Sequence, residues 1–398
     1  MNSWLVAARW LGIFQLRIQP AGYRDKPGAF AINAIARNHE ARLDADPPLV
    51  SVMIATRDRA PELRATLELL RHQTYEAIEI VVIDDGSKEP VEAVVRAFYP
   101  DARVIRHEES RGQCERRNEG FAAARGEFIL HLDDDCCFTK PNDLAEAVQD
   151  LVARPTAGAV VFDLYNGPTL PKELEPSRSK AGCVSSFVGA AVLFRTEAIR
   201  QTAGYRTFYQ AQGEEDELAL QLLSRGWYIF YCPWILAHHR LSSLNRNSLA
   251  TWRRGIGNEI WSRILHIPAR RLPAEIGWKV AVAFWDAIRL LRYRAFVEAI
   301  WRCVLGLKLV RRLREPLSPP ALRRYDALRL RSVLTEAEFA DPPAVSAADY
   351  LGFWRRWRNR ARDSSFWEGG PSGRGESNIA RYAHGFQQPA ADATREKD

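Results

Sequence analysis

The sequence predicts an α/β protein: a mainly parallel sheet with helices on both faces, followed by a basic helical extension. Three observations predict it. From Leu49 to His239, short apolar runs alternate with helical stretches, the βα order that builds parallel sheets. Beyond His239 the alternation stops, and helical periodicity continues to about Leu334. Charge divides at the same place. The 398-residue chain has 56 basic and 49 acidic side chains, a net +7, yet residues 240–332 alone carry 20 Lys/Arg and 6 Asp/Glu. That stretch is therefore +14 and the remainder −7.

The elements follow in order. Val50, Val52, Met53 and Ile54 belong to a nearly continuous apolar run, as expected of a strand covered on both faces. Pro61 suits a helix start, and Leu63, Leu67 and Leu70 step by four and three along one face. Strands are expected at 78–83, 102–107, 127–132 and 158–162, with helix at 118–124 and again after Pro141. Further strands are expected at 189–194 and 227–231, with a Leu-rich helix over Glu214–Ser224 between them. Four regions result. Residues 1–48 form an N-terminal amphipathic helix (1–16, with Trp4, Trp10 and Phe14) and a linker ending in Asp46-Pro47-Pro48. Residues 49–245 form the α/β domain and 246–335 a basic amphipathic helical region. Residues 336–398 form an extension whose tail, from Ser364, has a disordered composition.

Composition narrows the class. At 46% apolar and 26% charged residues, the chain is an ordinary folded protein, not a collagen, a disordered chain or a small disulfide scaffold. No stretch reaches 18 uncharged apolar residues, so a bilayer-spanning helix is not expected. Arg9 interrupts the apolar N-terminus and no small-residue cleavage site follows, against a signal peptide. The six cysteines form no CxxC pair and read as reduced cytosolic thiols.

Four constellations carry chemistry. Asp84-Asp85-Gly86-Ser87 ends an apolar strand, where ligands bind in open α/β sheets. A carboxylate there can accept from a ribose hydroxyl or a base N–H; the plain alternative is an Asp-Gly turn. Asp133-Asp134-Asp135 ends another strand, and a divalent cation relieves the repulsion of three crowded carboxylates. Gly213-Glu214-Glu215-Asp216-Glu217 opens a helix, where acids serve as caps or, beside a metal–phosphate site, as a general base. His238-His239 offers imidazole ligands or ordinary surface histidines.

Thr56-Arg57-Asp58-Arg59, the Asp-Asp-Gly-Ser turn, Arg116-Arg117-Asn118 before Gly126-Glu127-Phe128-Ile129, the triple Asp, the acidic cluster and the His pair stand in a specific order and spacing. In that order they resemble the family 2 glycosyltransferases of the GT-A fold, across roughly 49–245. The resemblance implies inverting transfer of a sugar from a nucleotide-diphosphate sugar, most commonly a UDP-sugar. It places Thr56, Asp58, Asp85 and Arg117 around the nucleotide, with Asp85 on the base. It sets the family's DxD motif on Asp133 and Asp135, with Asp134 near the ribose and Asp135 on Mn²⁺ or Mg²⁺. A family His about six residues after a Pro, counted from Pro233, gives His239 as a further metal ligand, with His238 adjacent.

Two departures stand out. The family's Glu-Asp pair is followed by an Arg six residues after the Asp; Gln221 stands at that position here. The same count puts Glu215 at the catalytic Asp, whereas residue type points to Asp216. The acceptor is expected to be a hydroxyl of a glycan or lipid-linked glycan, in cell-surface polysaccharide or glycoconjugate synthesis. The basic, Trp-rich helices suggest an anionic membrane surface as a partner, with the protein peripheral on the cytoplasmic face of the plasma or inner membrane. No nucleic-acid motif accompanies the charge, so nucleic acid is not an expected partner. The alternative reading is a non-catalytic peripheral scaffold on a GT-A body, which would have no reason to keep the repulsive acids.

Overall fold

The computed structural model describes residues 47–171, 177, 179–241, 248–346, 348, 349, 351 and 352. In chain order the α/β part runs β1 (Val50–Thr56), α1 (Ala60–Leu70), β2 (Ile78–Asp84), α2 (Glu92–Phe98), β3 (Arg103–Arg106), α3 (Gln113–Ala123), β4 (Phe128–Leu132), β5 (Cys136–Phe138), α4 (Asp143–Val152), β6 (Ala157–Asn166), β7 (Gly182–Val184), β8 (Ala191–Arg195), α5 (Thr196–Arg200), α6 (Glu214–Ser224) and β9 (Tyr228–His239). The helical part follows: α7 (Ser248–His266), α8 (Leu272–Arg289), α9 (Tyr293–Arg312), α10 (Pro319–Arg331) and α11 (Glu336–Ala340).

The strands form one sheet in the order β3-β2-β1-β4-β8-β6-β9-β5, with β7 also on β9. β1 pairs in parallel with β2 and β4, and β6 with β9. β8, β5 and β7 run against their neighbours, so the sheet is mixed, with six strands in one direction and three in the other. Strand alternation feeds two cores. Val50, Val52 and Ile54 of β1 point into one apolar cluster with Leu63 and Leu67 of α1, while Met53 points into the other.

The expected elements are present, and four details differ. α3 begins at Gln113, five residues before the expected helix. β5 and β7 have three residues each, too short to announce themselves as apolar runs. β6 and β9 are also much longer than expected. Pro233 does not end β9, because the β6–β9 register jumps from Phe162/Cys232 to Asp163/Leu236, a bulge that contains the proline.

The helical part rests on both cores. Trp261, Ile264 and Leu265 of α7 pack with Leu218 and Leu222 of α6, and Leu322, Tyr325 and Leu328 of α10 join the β1 side. The buried Glu275 carboxylate receives Arg271 at 3.1 Å and Arg329 at 2.9 Å, tying α8 to α10. All six cysteines are buried and free. Burial pushes each thiol above its ordinary value, Cys303 to about 11. The expected N-terminal helix at 1–16 and the tail from Ser364 lie outside the described residues.

Candidate active site

The site lies beyond the carboxyl ends of β1, β2 and β4. The 133–135 loop is held from three sides. Asp133 N donates to Ala190 O, Arg240 N to Asp135 O, and Thr66 Oγ1 to Asp134 O. Arg240 reaches further, donating to Thr66 Oγ1 at 2.6 Å and Asp134 O at 3.3 Å.

β5 sets the second half of the cluster. It leaves the Asp loop directly and pairs antiparallel with the end of β9, Cys136 opposite His239 and Cys137 opposite His238. The pairing brings His239 Nε2 to 3.2 Å from Asp135 Oδ1. Because strand neighbours point to opposite faces, His238 turns away, and its Nε2 lies 2.8 Å from Gly167 O. Asp133, Asp135 and His239 each present one ligand atom within 4.8 Å of the others; His238 is outside that group. His239 Nδ1 lies 3.1 Å from Asn166 Oδ1. With the proton on Nδ1, a lone pair of Nε2 faces a carboxylate oxygen, an arrangement that a cation relieves. Two carboxylates and one imidazole therefore fit a divalent metal, and the mixed O/N set suits Mn²⁺ better than Mg²⁺.

The three aspartates differ electrically. Burial would raise Asp133, but the Arg117 guanidinium and His131 outweigh it and hold the carboxyl well below the usual range. Burial, with Asp135 beside it, pushes Asp134 up to about 7 against the pull of Arg59. Asp134 is gripped by Thr56 Oγ1 at 2.7 Å and Arg59 Nη1 at 3.2 Å. Arg59 Nη2 also reaches Asp135 Oδ2. Behind the loop, His131 Nδ1 lies 3.1 Å from the Tyr205 hydroxyl; burial and then Arg117 lower the imidazole to about 4, so it is neutral.

The acidic helix start is sorted by the helix itself. Successive residues turn by about 100°, so the four acids of α6 do not all face the same neighbours. Glu214 and Glu215 face Arg117, whose Nη1 is 3.2 Å from Glu214 Oε1 and 3.8 Å from Glu215 Oε1. Asp216 bonds Ser186 Oγ instead, and burial followed by Glu259 and Glu215 lifts it to about 6. Glu217 takes Arg206 and His266 at 3.3 and 2.8 Å. Arg117 Nη2 simultaneously donates to Asp133 Oδ1 at 3.0 Å, joining the acid pair to the Asp loop. Gly189 makes this possible, since a Cβ there would stand 2.8 Å from Glu215 Oε1.

On the β2 side, Asp85 accepts from Ser110 Oγ, Arg111 N, Gly112 N and Arg116 Nε. These bonds outweigh its burial and lower its carboxyl, and they shape the 110–112 turn. Asp58 has φ +53, and its carboxylate accepts from Lys88 N at 2.7 Å, so it braces the turn after β2. Gln221 is buried; it accepts from Ala203 N and donates to Gly204 O, inside the body. Asn166, Gly189, Arg59, His131 and Tyr205 were not foreseen. Asn166 and Tyr205 have no local sequence signal; the strand pairing alone brings Asn166 opposite His239.

Residues 51–200 match the family model described as Glycosyl transferase family 2. Over this segment the chain resembles glycosyl transferase family 2. Among relatives of the family 2 domain, an uncharacterized glycosyltransferase of Haemophilus influenzae is 35% identical over 141 residues, 33% of this chain and 47% of that one. A pre-mycofactocin glycosyltransferase of Mycobacterium tuberculosis is 29% identical over 220 residues, 51% of this chain and 44% of that one. The chain thus spans less than half the length of either relative. The crystal structure of Staphylococcus aureus TarS overlays with a TM-score of 0.50 at 14% identity, covering 81% of this chain and 56% of that one, a likeness of fold. The family 2 domain thus has the GT-A architecture, and its Asp133 and Asp135, with His239 from β9, can hold a metal.

Proposed function

We propose that the protein is an inverting glycosyltransferase that moves a sugar from a nucleotide-diphosphate sugar, a UDP-sugar, to a hydroxyl of a glycan or lipid-linked glycan. One observation carries the reading: Arg117 bonds Asp133 with one nitrogen and faces Glu214 and Glu215 with the other, so a metal-type cluster and an acid pair share one site.

Asp133, Asp135 and His239 would hold the divalent cation, whose chemistry is to neutralise charge on a leaving diphosphate. Arg59 and Arg117 add fixed positive charge at the same edge. Thr56 and Asp58 form the nucleotide side, and the turn built on Asp85 closes it. Asp134, fixed by Thr56 Oγ1 and Arg59 Nη1, would line the ribose side. Glu215 takes the proton from the acceptor hydroxyl as that oxygen attacks the anomeric carbon; Asp216, turned to Ser186, does not. A single displacement with one base inverts the anomeric centre.

The test is a thermal-shift screen of nucleotide sugars with Mn²⁺, followed by transfer assays with the donor that binds. A donor at 100 times its dissociation constant stabilises by about 2.7 kcal/mol. No shift with any UDP-sugar removes the donor assignment. A shift without transfer or hydrolysis favours the non-catalytic scaffold.

A further inference from the structure

The hairpin of α8 and α9 is packed inside out. Ala283 and Ala287 of α8, and Ala295, Ala299 and Cys303 of α9, face the body, each no more than 8% exposed. Gly306 lies so close to Trp261 that a Cβ there would stand 2.3 Å from the indole. The large apolar side chains face outward instead. Trp285 is 51% exposed, Trp301 61%, Leu305 68% and Leu291 77%. Of the sixteen exposed large hydrophobic side chains among the described residues, eleven lie between Phe284 and Leu309. They are not scattered. Val297, Trp301 and Leu305 step by four along α9, Trp285 and Ile288 continue the surface on α8, and the Phe284 and Phe296 rings, 5.6 Å apart, join the two helices.

The same face is cationic. Arg289, Arg294, Lys308, Arg311 and Arg312 are exposed around it. The acids of α8, Glu275 and Asp286, are buried, and Glu298 of α9 is held by Arg253 and Arg294. We propose that this hairpin docks on the surface of a lipid bilayer containing anionic lipid, with the Trp and Leu side chains in the headgroup region and the Arg side chains on lipid phosphates. No helix among the described residues is long and apolar enough to cross a membrane, so the contact is interfacial. Charge argues against the other occupants. A second copy would set the same arginines against one another. Residues 1–46, with six basic and four acidic side chains, bring no complementary charge either.

The docking face is wired to the site. Arg302 of α9 donates to Phe208 O and Asn258 Oδ1, and Asn258 Nδ2 donates to the carbonyls of Ala211 and Gln212, separated from Glu214 by Gly213. Docking therefore fixes the loop that leads into the acid pair relative to the bilayer. A lipid-linked acceptor follows from this only together with the proposed transfer reaction; docking itself does not depend on that reaction.

Flotation of the full chain tests it without any activity readout. The probe is phosphatidylcholine vesicles with or without phosphatidylglycerol. The wild type should float with phosphatidylglycerol at low salt and lose about tenfold in partitioning as salt shortens the reach of the arginines. The triple variant Trp285→Ser, Trp301→Ser, Leu305→Ser should lose at least about tenfold. The quadruple variant Arg289→Gln, Arg294→Gln, Arg311→Gln, Arg312→Gln should lose about a hundredfold, with melting temperature and oligomeric size unchanged in both. Equal recovery with and without phosphatidylglycerol overturns the proposal. So do variants that float like wild type, since attachment then lies elsewhere, for example in residues 1–46. Variants that dissociate an oligomer or lower the melting temperature also overturn it, because the face is then covered by protein.

Discussion

Arg117 Nη2 donates to Asp133 Oδ1 at 3.0 Å, and this bond joins the carboxylate cluster at the end of β4 to the helix start that carries Glu214 and Glu215. Arg117 is buried, and burial alone would lower its pKa. Asp133 and the two glutamates outweigh that and hold it charged. Lysine has one compact charge and cannot span both partners. Arg117→Lys should therefore lower turnover at least about tenfold, with a second loss in Mn²⁺ affinity as Asp133 is freed. Titration calorimetry with Mn²⁺, run beside a transfer assay, checks both. Normal turnover and metal affinity in this variant would show that the bridge is only structural.

Gly189→Ala probes the acid pair without touching a charge. Gly189 has no left-handed φ, so alanine strains no backbone, but its Cβ meets Glu215 Oε1 at 2.8 Å and Arg117 Nη1 at 3.3 Å. A displacement near 1 Å at a base lowers turnover by about a hundredfold. Donor affinity should stay near wild type. Unchanged kcat in a folded Gly189→Ala protein would remove Glu215 from the reaction.

Glu215→Gln and Asp216→Asn separate the two candidate bases. Glu215→Gln should lose about a hundredfold or more in kcat while keeping donor affinity. Asp216→Asn keeps a hydrogen-bonding partner for Ser186 and should retain most activity. The reverse order of effects would assign the base to Asp216.

For the metal, Asp135→Asn and His239→Ala should each abolish tight Mn²⁺ binding. Asn166→Ala should weaken it about tenfold, because Asn166 orients His239 Nδ1. His238→Ala should leave Mn²⁺ affinity unchanged, since that ring faces Gly167 O. Calorimetry on the four variants decides it. Wild-type affinity in Asp135→Asn would remove Asp135 from the metal.

Asp286 gives a pH prediction away from the site. Burial, the largest influence, raises its carboxyl to about 6, well above an unfolded value near 3.8. Between those values the native state binds more protons than the unfolded chain, so this group's stability is full below about pH 4 and is lost as pH rises through about 6. Asp286→Asn should thus stabilise the protein by about 2 kcal/mol at pH 8 and by almost nothing at pH 4. Denaturant melts at both pH values check it; equal stabilisation at the two pH values would show that Asp286 is not the titrating group.

The architecture was legible because its cause is local. The β1 run of Val50 to Ala55, the leucine spacing of α1 and the acidic ends of β2 and β4 are each contained in a dozen residues. What stayed hidden depends on pairing across distance. β5 is three residues long, yet it aims His239 rather than His238 at the Asp loop, a choice that the dipeptide alone leaves open. Glu215 and Asp216 likewise look alike in sequence, and only helix rotation turns Glu215 toward Arg117 and Gly189 and Asp216 toward Ser186. Asp85 also accepts bonds from the 110–112 turn, contacts that its motif does not announce and that only the tertiary fold reveals.

The six buried thiols have a practical outcome. A thiolate is what alkylates, and burial keeps every native cysteine in the unreactive thiol form. A single cysteine introduced at Val297 or Leu305, both well exposed, would then be the one site that maleimide dyes reach quickly in the folded protein. An environment-sensitive fluorophore placed there would report the polarity around the α9 face in real time, with no need to strip the native cysteines from the core first.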